Sequence, residues 1–497
     1  MQARRNEVEL KLIVPSDFEL PPLEGGKSGV ATASEETPQQ LNATYFDTPD
    51  LRLMRHGITL RYRTGEGNGP LWTLKLPANG DLARRSELEF AGEPGQPPPE
   101  ARNLLFAFLT DGPLAPAAEI RTKRRRWSLA NESGEKMAEI TDDRVSVVDG
   151  EKVKERFREI EIEAENIDRK GLERIASRMR KAGAKSEQRS KASRALEALY
   201  KLSSQNGHRV SPKDDAGATV RPSLKEALRR LLSFDPYARL GDAEGVHQLR
   251  VAARRLRSVI RTFVPLCDPA KIQPVVEDLR WLGGVLGEVR DLDVLEIRLH
   301  EASGEDSTPF LEALAPRREK ARATLKDTLN SDRYVAFIQR VTDLTQDDTL
   351  VSESSGAAKE VLPGLVWRIW KKLRNAGRAL TPESEEADFH RVRILAKRAR
   401  YSAETIADYM PSKQKKQLED FAESAESVQN ILGEHQDAAF ARNIIREIAA
   451  DRPHDVRLTS RAGTLVECQK AIAEEKRDEF FDEWKRLDRK KNTKWGK

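Results

Sequence analysis

Apolar and charged residues alternate along much of the first 200 residues. The segment EVELKL (7–12) carries charged side chains at odd-numbered positions and apolar side chains at even-numbered positions. Successive side chains of a strand point to opposite faces, so this pattern predicts a strand with one charged and one apolar face. Similar alternation recurs in TLRYR (59–63), LWTLKL (71–76), RSELEF (85–90), KRRRWSL (123–129), MAEITDD (137–143) and REIEIEAE (158–165).

The charged faces of these segments consist almost wholly of Glu, Asp, Arg and Lys. A solvated sheet face would explain any one strand, but seven such strands call for another explanation. Glu159, Glu161 and Glu163 share one face and would raise one another's pKa unless a cation lay among them. If the sheet curls into a barrel with its charged faces inward, flanking helices can cover the apolar faces. The result is a polar tunnel with acidic and basic parts.

Such a tunnel suits a linear triphosphate bound with Mg²⁺ or Mn²⁺. Hard divalent cations take carboxylate oxygens, and Mg²⁺ often binds through few carboxylates together with substrate phosphates. Arg and Lys bind phosphate oxygens, so the basic part of the tunnel would hold the substrate.

The same segments carry a resemblance to a known family. EVELKL fits the ExExK signature of the CYTH family, the triphosphate tunnel metalloenzymes. The block YFDTPDLRLMRHGITLRYR (45–63) is similar to the family's second motif, and LKLP, RSELE, EITDD, REIEIEAE and SKASRAL (190–196) follow in family order. The resemblance covers about residues 5–200. It implies an antiparallel eight-stranded β-tunnel, a divalent metal and hydrolysis or cyclisation of triphosphates.

The resemblance also implies roles for individual residues. The metal-binding candidates are Glu7, Glu9, Glu159, Glu161, Glu163 and Asp143, with Glu87, Glu89 and Glu139 as further tunnel acids. The triphosphate-binding candidates are Lys11, Arg61, Arg63, Lys75, Arg85, Arg124 and Lys191. Glu7, Glu9 and Lys11 are the candidates for catalysis. Two choices stay open, Arg124 against Arg126 and Asp142 against Asp143, although strand parity with Glu139 favours Asp143.

The second half of the chain reads as helices, and two of them repeat. VHQLRVAARRLRSVIRTF (246–263) aligns with FHRVRILAKRARYSAETI (389–406). The alignment pairs His247, Arg250, Arg254 and Arg257 with His390, Arg393, Lys397 and Arg400. These offsets keep the four side chains in one stripe of a helix. LGEVRD (286–291) and LGEHQD (432–437) also match, which predicts two similar helical bundles.

A basic stripe repeated in both bundles indicates an anionic partner, although either stripe alone would read as a solvated face. Like charges at helical spacing cost a few tenths of a kcal/mol per pair. Nucleic acid would fit the charge, but no aromatic platform accompanies it, so nucleic acid is not an expected partner. Residues 223–490 resemble the CHAD domain, the conserved histidine α-helical domain. This resemblance implies inorganic polyphosphate binding by the eight stripe residues. We expect the acids of the LGE blocks to hold the arginines in place by ion pairing, and these acids are Glu288, Asp291, Glu434 and Asp437.

Composition limits the remaining possibilities. The 497 residues, 38% hydrophobic and 34% charged with a net charge of +5, allow two or three domains. The two cysteines give no disulfide framework, and no segment reads as a signal peptide or membrane span. We therefore expect an α+β tunnel domain (1–202), a linker (203–222) and an all-α domain of two repeated bundles (223–490). A cytoplasmic location without a membrane partner is expected, and association with polyphosphate bodies is a further hypothesis.

The sequence favours a metal-dependent inorganic triphosphatase that carries a polyphosphate-binding module. One alternative is a hydrolase or cyclase that acts on thiamine triphosphate or ATP. Another is a non-catalytic polyphosphate-binding scaffold with a vestigial tunnel, and a third is a nucleic-acid binder.

Overall fold

The computed structural model describes residues 2–7, 9–25, 28–65, 69–78, 81–109, 112–187, 189–200, 210–303, 308–351 and 356–496. Within these ranges the side chains of residues 2–7, 78, 81–85, 302–303 and 490–491 lie outside the description. The chain divides into two compact units, Met1–Gly207 and His208–Lys497. We call them the sheet unit and the helical unit.

The sheet unit contains one antiparallel sheet. Its strands are β1 (Gln2–Glu7), β2 (Glu9–Val14), β3 (Thr32–Glu35), β4 (Gln39–Asp47), β5 (Thr59–Thr64), β6 (Leu71–Ala78), β7 (Asp81–Phe90), β8 (Ala115–Ala130), β9 (Lys136–Asp149), β10 (Lys152–Ala164) and β11 (Lys185–Glu187). Neighbours follow the order β1-β7-β6-β5-β4-β8-β9-β10-β2-β11, and β3 pairs with β8.

β1 and β2 follow each other in the chain, yet they lie at or next to opposite ends of this strand order. β1 pairs with β7, whereas β2, which follows one residue later in the chain, pairs with β10. The sheet is therefore joined at both ends by one short segment of chain, as a closed tunnel requires.

The apolar strand faces pack against helices of the same unit, because alternation leaves each strand an apolar side to cover. The helices of this unit are α1 (Arg52–Arg55), α2 (Pro99–Leu104), α3 (Arg169–Lys181) and α4 (Lys191–Tyr200). Leu12, Ile140 and Ile160 form one core with Ile175 and other residues of α3. A second core lies instead on the charged side of the sheet, where Ala195 and Leu196 of α4 pack against β4, β8 and β9. Its residues Ile120 and Val147 share their strand faces with Arg124 and Asp143.

The helical unit is built from nine helices within the described residues. They are α5 (Val220–Arg239), α6 (Ala243–Phe263), α7 (Pro269–Ser303), α8 (Thr308–Leu329), α9 (Asp332–Gln346), α10 (Ala358–Arg378), α11 (Glu386–Ala407), α12 (Ser412–Asp451) and α13 (Val456–Leu487). Helices α5 to α7 pack in sequence, as do α10 to α13. The two basic helices α6 and α11 contact each other, and so do α7 and α12, which carry the LGE blocks.

The antiparallel sheet and the all-helical second half are confirmed. The strand count of eight, the repeated bundles and the boundaries 1–202, 203–222 and 223–490 stay predictions. The segment expected as a linker begins α5 at Val220, and Ala216 and Thr219 just before it are fully buried. Within the part of the chain that the structure describes, no helix is both long and apolar enough to cross a bilayer.

Candidate active site and anion-binding cavity

Three carboxylates lie side by side on the charged face of the sheet. Glu163 of β10 lies directly opposite Glu9 of β2 and, on its other side, opposite Glu139 of β9. Directly opposed residues of neighbouring strands have Cβ atoms about 5 Å apart. Burial raises the pKa of Glu163, and the charges of Glu139 and Glu9 raise it further against the opposing effect of Lys75. We call Glu9, Glu163 and Glu139 the acidic row.

Below the acidic row, two lysines neutralise Glu159 and Glu161 of β10. Lys11 Nζ lies 2.9 Å from Glu161 and 3.2 Å from Glu9. Lys191 Nζ, contributed by the first residue of α4, lies 2.9 Å from Asp143, 2.6 Å from Glu159 and 2.8 Å from Glu161. Burial opposes the charge of each lysine, yet these carboxylates raise both lysine pKa values above their ordinary range.

Four acids of the charged face divide into two pairs by their pKa. Burial opposes ionisation of Glu161 and Asp143, but the Lys191 and Arg124 charges, with Lys11 beside Glu161, hold both pKa values below their ordinary range. Burial raises the pKa of Glu159, whose side chain is fully buried with Lys191 beside it. Glu159 and Glu163 are therefore the acids most in need of a further cation.

The facing wall of the sheet carries the other predicted cations. Lys75 Nζ of β6 lies 2.9 Å from Glu87 of β7, and Arg61 of β5 lies 3.5 Å from the same carboxylate. Arg63 lies two residues after Arg61, and Glu89 two residues after Glu87, on the same strand faces. Tyr45 of β4 was not among the predicted site residues. It stands opposite Arg61 of β5, and this arginine lowers the pKa of Tyr45 against the effect of burial.

The structure separates Asp142 from Asp143 but places Arg124 and Arg126 on the same strand face. Arg124 binds Asp143 through two hydrogen bonds of 2.8 and 2.6 Å on the charged face. Asp142 points to the opposite face, where it accepts two hydrogen bonds from Arg158. Arg126 also lies on the charged face, 3.0 Å from Glu139, so both arginines of the pair face inward.

The acids fit a divalent cation in chemical type. The acidic row supplies hard oxygen ligands, and Oε2 of Glu159 is buried without a hydrogen bond from any described residue. Among the described side chains, no three acidic, His or Cys residues lie close enough together to hold a metal by themselves. A site for Mg²⁺ would therefore be completed by substrate phosphates or water, as is common for this ion. The side chains of Glu7 and Arg85 lie outside the described residues, although their backbones pair across β1 and β7.

A second candidate site lies in the helical unit, between α6 and α11. It is a cavity of about 280 Å³. Its lining residues are Arg254, Arg257, Ser258 and Arg261 from α6, and His390, Arg393, Ile394, Lys397, Arg398 and Tyr401 from α11. We call it the basic cavity. None of the residues that line it is acidic, and no described carboxylate forms an ion pair with its five arginines or Lys397.

Crowding of like charges inside the basic cavity disfavours protonation. Burial lowers the pKa of Arg254 to about 10, assisted by Arg250 and Arg393. Burial and the Arg257 charge likewise lower the pKa of Arg261 to about 10. The largest effect is at Lys397, where burial, then Arg254 and Arg393, lower the pKa to about 6. The cavity is thus an array of cations that lacks a counter-charge.

Several hydrogen-bond donors of the basic cavity also lack acceptors. The Nε atoms of Arg257, Arg393 and Arg398 are buried and make no hydrogen bond to any described residue. The hydroxyl of Ser258, whose side chain is 6% exposed, also makes no hydrogen bond to any described residue. Buried donors are normally satisfied, so this arrangement is typical of a binding site for an acceptor-rich anion.

Comparison with known proteins identifies the family. A CYTH domain matches residues 5–195, and a CHAD domain matches residues 222–446. An uncharacterized protein of Mycobacterium tuberculosis strain H37Rv is 30% identical over 98% of this chain and 97% of its own length. A second uncharacterized protein, from strain CDC 1551, matches equally well. The chain belongs to the CYTH–CHAD family. Its CYTH domain is of the class found in triphosphate-tunnel hydrolases and cyclases.

Solved structures resemble parts of the chain. PptA from Streptomyces chartreusis is 21% identical, covers 55% of this chain and 100% of its own, and has a TM-score of 0.47. The CHAD domain from the plant Ricinus communis is 24% identical, covers 56% of this chain and 93% of its own, and has a TM-score of 0.43.

The CHAD helices bring together five of the eight predicted polyphosphate-binding residues. Arg254, Arg257, His390, Arg393 and Lys397 line the basic cavity. His247 and Arg250 lie outside its lining; burial and then Arg290 lower the pKa of His247, and Arg250 binds Asp291 at 2.8 Å. Arg400 lies away from the cavity, 2.8 Å from Glu404 and 2.7 Å from Glu426.

Acids of the LGE blocks contact arginines, as expected for part of the set. Asp291 binds Arg250, and the charge of Asp437 favours ionisation of Arg393. Glu434, however, pairs with Arg298, which was not among the predicted residues.

Two arginines that line the basic cavity of the CHAD domain were not predicted from the sequence. They are Arg261 and Arg398. A signal for Arg261 was present, since it lies one helical turn beyond Arg257 on the same stripe. Arg398 follows Lys397 directly, and its orientation depends on how α11 packs against α6, which spacing along one helix does not specify.

Proposed function

We propose that the CYTH domain hydrolyses inorganic triphosphate to pyrophosphate and phosphate with Mg²⁺ or Mn²⁺, and that the CHAD domain binds inorganic polyphosphate. The first part of this proposal rests on one observation. Within one sheet, Arg and Lys side chains face the acidic row. This division matches a metal-bound polyanion, with carboxylates toward the cation and basic side chains toward phosphate oxygens.

Each group has a separate part in the proposed reaction. Arg61, Lys75 and Arg124 would bind phosphate oxygens and stabilise the negative charge on the leaving pyrophosphate. A divalent cation held beside Glu9 and Glu163 would polarise the phosphoryl group. A water on the acidic side attacks the terminal phosphorus, the bond from this phosphorus to the bridging oxygen breaks, and the water's proton passes to solvent.

The substitution Glu163→Gln tests the acidic row. We expect phosphate release from triphosphate to fall at least about 10- to 100-fold, the usual range when a group that supports a metal site is lost. Glu165→Gln is the matched control, because Glu165 lies just past the end of β10, exposed, in an ion pair with Lys136. Equal turnover by both variants would remove the acidic row from the mechanism.

The proposal for the CHAD domain rests on the basic cavity. Its arginines and Lys397 line one space without a carboxylate, and buried donors there lack acceptors. A polyphosphate chain offers both the negative charge and the oxygen acceptors that these groups lack.

Arg261→Met should weaken polyphosphate binding about tenfold, since a hydrogen bond to a charged group contributes roughly 1.5–3 kcal/mol. Arg400→Met is the control, because Arg400 faces Glu404 and Glu426 instead. Titration of the full chain with long-chain polyphosphate, without divalent metal, gives both affinities. A larger loss in Arg400→Met than in Arg261→Met would contradict the assignment of the basic cavity.

A further inference from the structure

Lys397 occupies an unusual position within the basic cavity. From α6, Arg254 and Arg250 face its ammonium group, and Arg393 adds a third guanidinium from its own helix. The one carboxylate with a marked opposing effect on it is Asp437 of α12. The pKa of Asp437 is itself raised, first by burial, so this acid neutralises Lys397 weakly.

The other residues that line the cavity are positive or neutral, whereas Asp291 of α7, outside the lining, is an acid that pairs with Arg250 at 2.8 Å. Arg257 and Arg261 of α6 and Arg398 of α11 share the cavity, together with the ring of Tyr401. Burial raises the pKa of Tyr401, so its hydroxyl stays neutral near pH 8. His390 lines the same space, and its Nδ1 donates a hydrogen bond of 2.6 Å to Oε1 of Gln436. On α10, Lys372 lines a neighbouring cavity that shares His390 and Ile394.

We propose that binding of a phosphate chain in the basic cavity is coupled to uptake of one proton from solvent by Nζ of Lys397. The inference rests on the proposed polyphosphate binding and adds that the affinity for polyphosphate depends on pH. In the unliganded cavity the guanidinium groups of Arg254 and Arg393, with Arg250 just outside the lining, face a lysine that has no paired carboxylate, so the neutral amine is favoured. Phosphate oxygens bring the missing negative charge, and the amine becomes an ammonium that can donate to them.

The coupling sets the direction of the pH dependence. The pKa of Lys397 is about 6 without an anion, so above that pH each binding event must bring a proton with it. Linkage then lowers the affinity as pH rises, by at most about tenfold per pH unit for one proton. Polyphosphate would be held near neutral pH and released as the pH increases.

Calorimetric titration of the full chain with long-chain sodium polyphosphate at pH 8 tests this inference. The titration is run without divalent metal in two buffers of different ionisation enthalpy, so that the difference in heat counts protons. At pH 8 an ordinary histidine, with a pKa of about 6.5, is mostly neutral, and this choice of pH limits the contribution of histidines to proton uptake. We expect close to one proton taken up per bound protein.

Two variants assign the proton to its residue. Lys397→Arg keeps the positive charge permanently, so binding should persist while proton uptake disappears and the affinity becomes flat between pH 7 and 9. Lys485→Arg, at an exposed site that pairs with Asp482, should behave as the unsubstituted protein.

The possible outcomes are distinguishable. Binding with equal heats in both buffers would overturn the coupling and leave polyphosphate binding intact. Uptake that survives in Lys397→Arg would place the proton elsewhere and also overturn it. Absence of binding by the unsubstituted chain would overturn both this inference and the proposed function of the CHAD domain.

Discussion

At the scale of single residues, nearby cations determine which tunnel carboxylates are fixed as anions. Asp143 and Glu161 contact Lys191 and Arg124, and their pKa values lie below the ordinary range. Glu163 shares its row with two other acids, and its pKa lies above that range. The first two carboxylates order the cationic side chains, whereas Glu163 is available for a cation from solution.

This difference predicts an acidic limit to catalysis. A carboxylate with a raised pKa becomes protonated at a higher pH and then binds a metal poorly, so activity should fall as pH drops through that value. Measured at a fixed, subsaturating metal concentration, kcat/KM for triphosphate should begin to decline above the ordinary glutamate pKa of about 4.3.

The variant Lys75→Met separates Glu163 from ionisation of the substrate. Because Lys75 lowers the pKa of Glu163, its removal should move the acidic limit to still higher pH. Ionisation of triphosphate is the same with either enzyme and cannot cause such a displacement. A limit that stays in place in Lys75→Met would exclude Glu163 as its source.

At the scale of elements, adjacent residues of one strand point to opposite faces of the sheet and therefore have different roles. Asp142 and Asp143 are adjacent in β9, yet one binds Arg158 on the packed face and the other binds Arg124 on the charged face. Arg158 also donates to the carbonyls of Ser16 and Phe18, which anchors the segment after β2. The first aspartate therefore supports the fold, and the second supports the site.

Substitution of each aspartate by asparagine should separate these tasks. Asp142→Asn leaves Arg158 as an uncompensated buried charge, which typically costs roughly 3–5 kcal/mol of stability. Asp143→Asn should instead reduce triphosphate turnover, by up to about 100-fold, because Arg124 and Lys191 lose a common anchor.

Hydrogen exchange of the β10 amides, together with turnover per folded molecule, measures both effects on the full chain. Helices of the CHAD domain serve as the internal reference for exchange. If Asp142→Asn lost turnover and kept full protection while Asp143→Asn did the reverse, the assignment of the two faces would be wrong.

Alternation along the strands was sufficient to predict which side chains share the charged face. Glu159, Glu161 and Glu163 follow from period-2 spacing alone, and so does the preference for Asp143 over Asp142. Spacing could not show that Lys191 reaches three carboxylates, because α4 meets the sheet only through tertiary packing. The ion pairs of the tunnel therefore required the structure.

The repeated helices show where sequence alignment stops being informative. Arg257 and Arg400 occupy equivalent repeat positions, but the first lines the basic cavity and the second pairs with acids. One turn further along, the first helix has Arg261 and the second has Glu404. That acid binds Arg400 and also Arg255 of α6, so the second stripe ends earlier than its repeat implied.

At the scale of the whole molecule, the net charge is small, but charged residues are arranged differently in the two domains. The 86 basic and 81 acidic residues sum to +5. In the CYTH domain, acids and bases are interleaved within a few ångströms, as at Lys191 and Glu159. In the CHAD domain, the basic cavity gathers cations without a lining carboxylate. The first arrangement suits a metal together with a phosphate chain, and the second suits a phosphate chain alone.

The central claim is that the tunnel hydrolyses inorganic triphosphate. It is tested most directly by phosphate release from the purified full chain, with Mg²⁺ or Mn²⁺, from triphosphate, ATP, thiamine triphosphate and long-chain polyphosphate in parallel. We predict metal-dependent release with a strong preference for triphosphate and little release from the other three. A preference for ATP or thiamine triphosphate, or no release from any of them with polyphosphate binding retained, would contradict the claim.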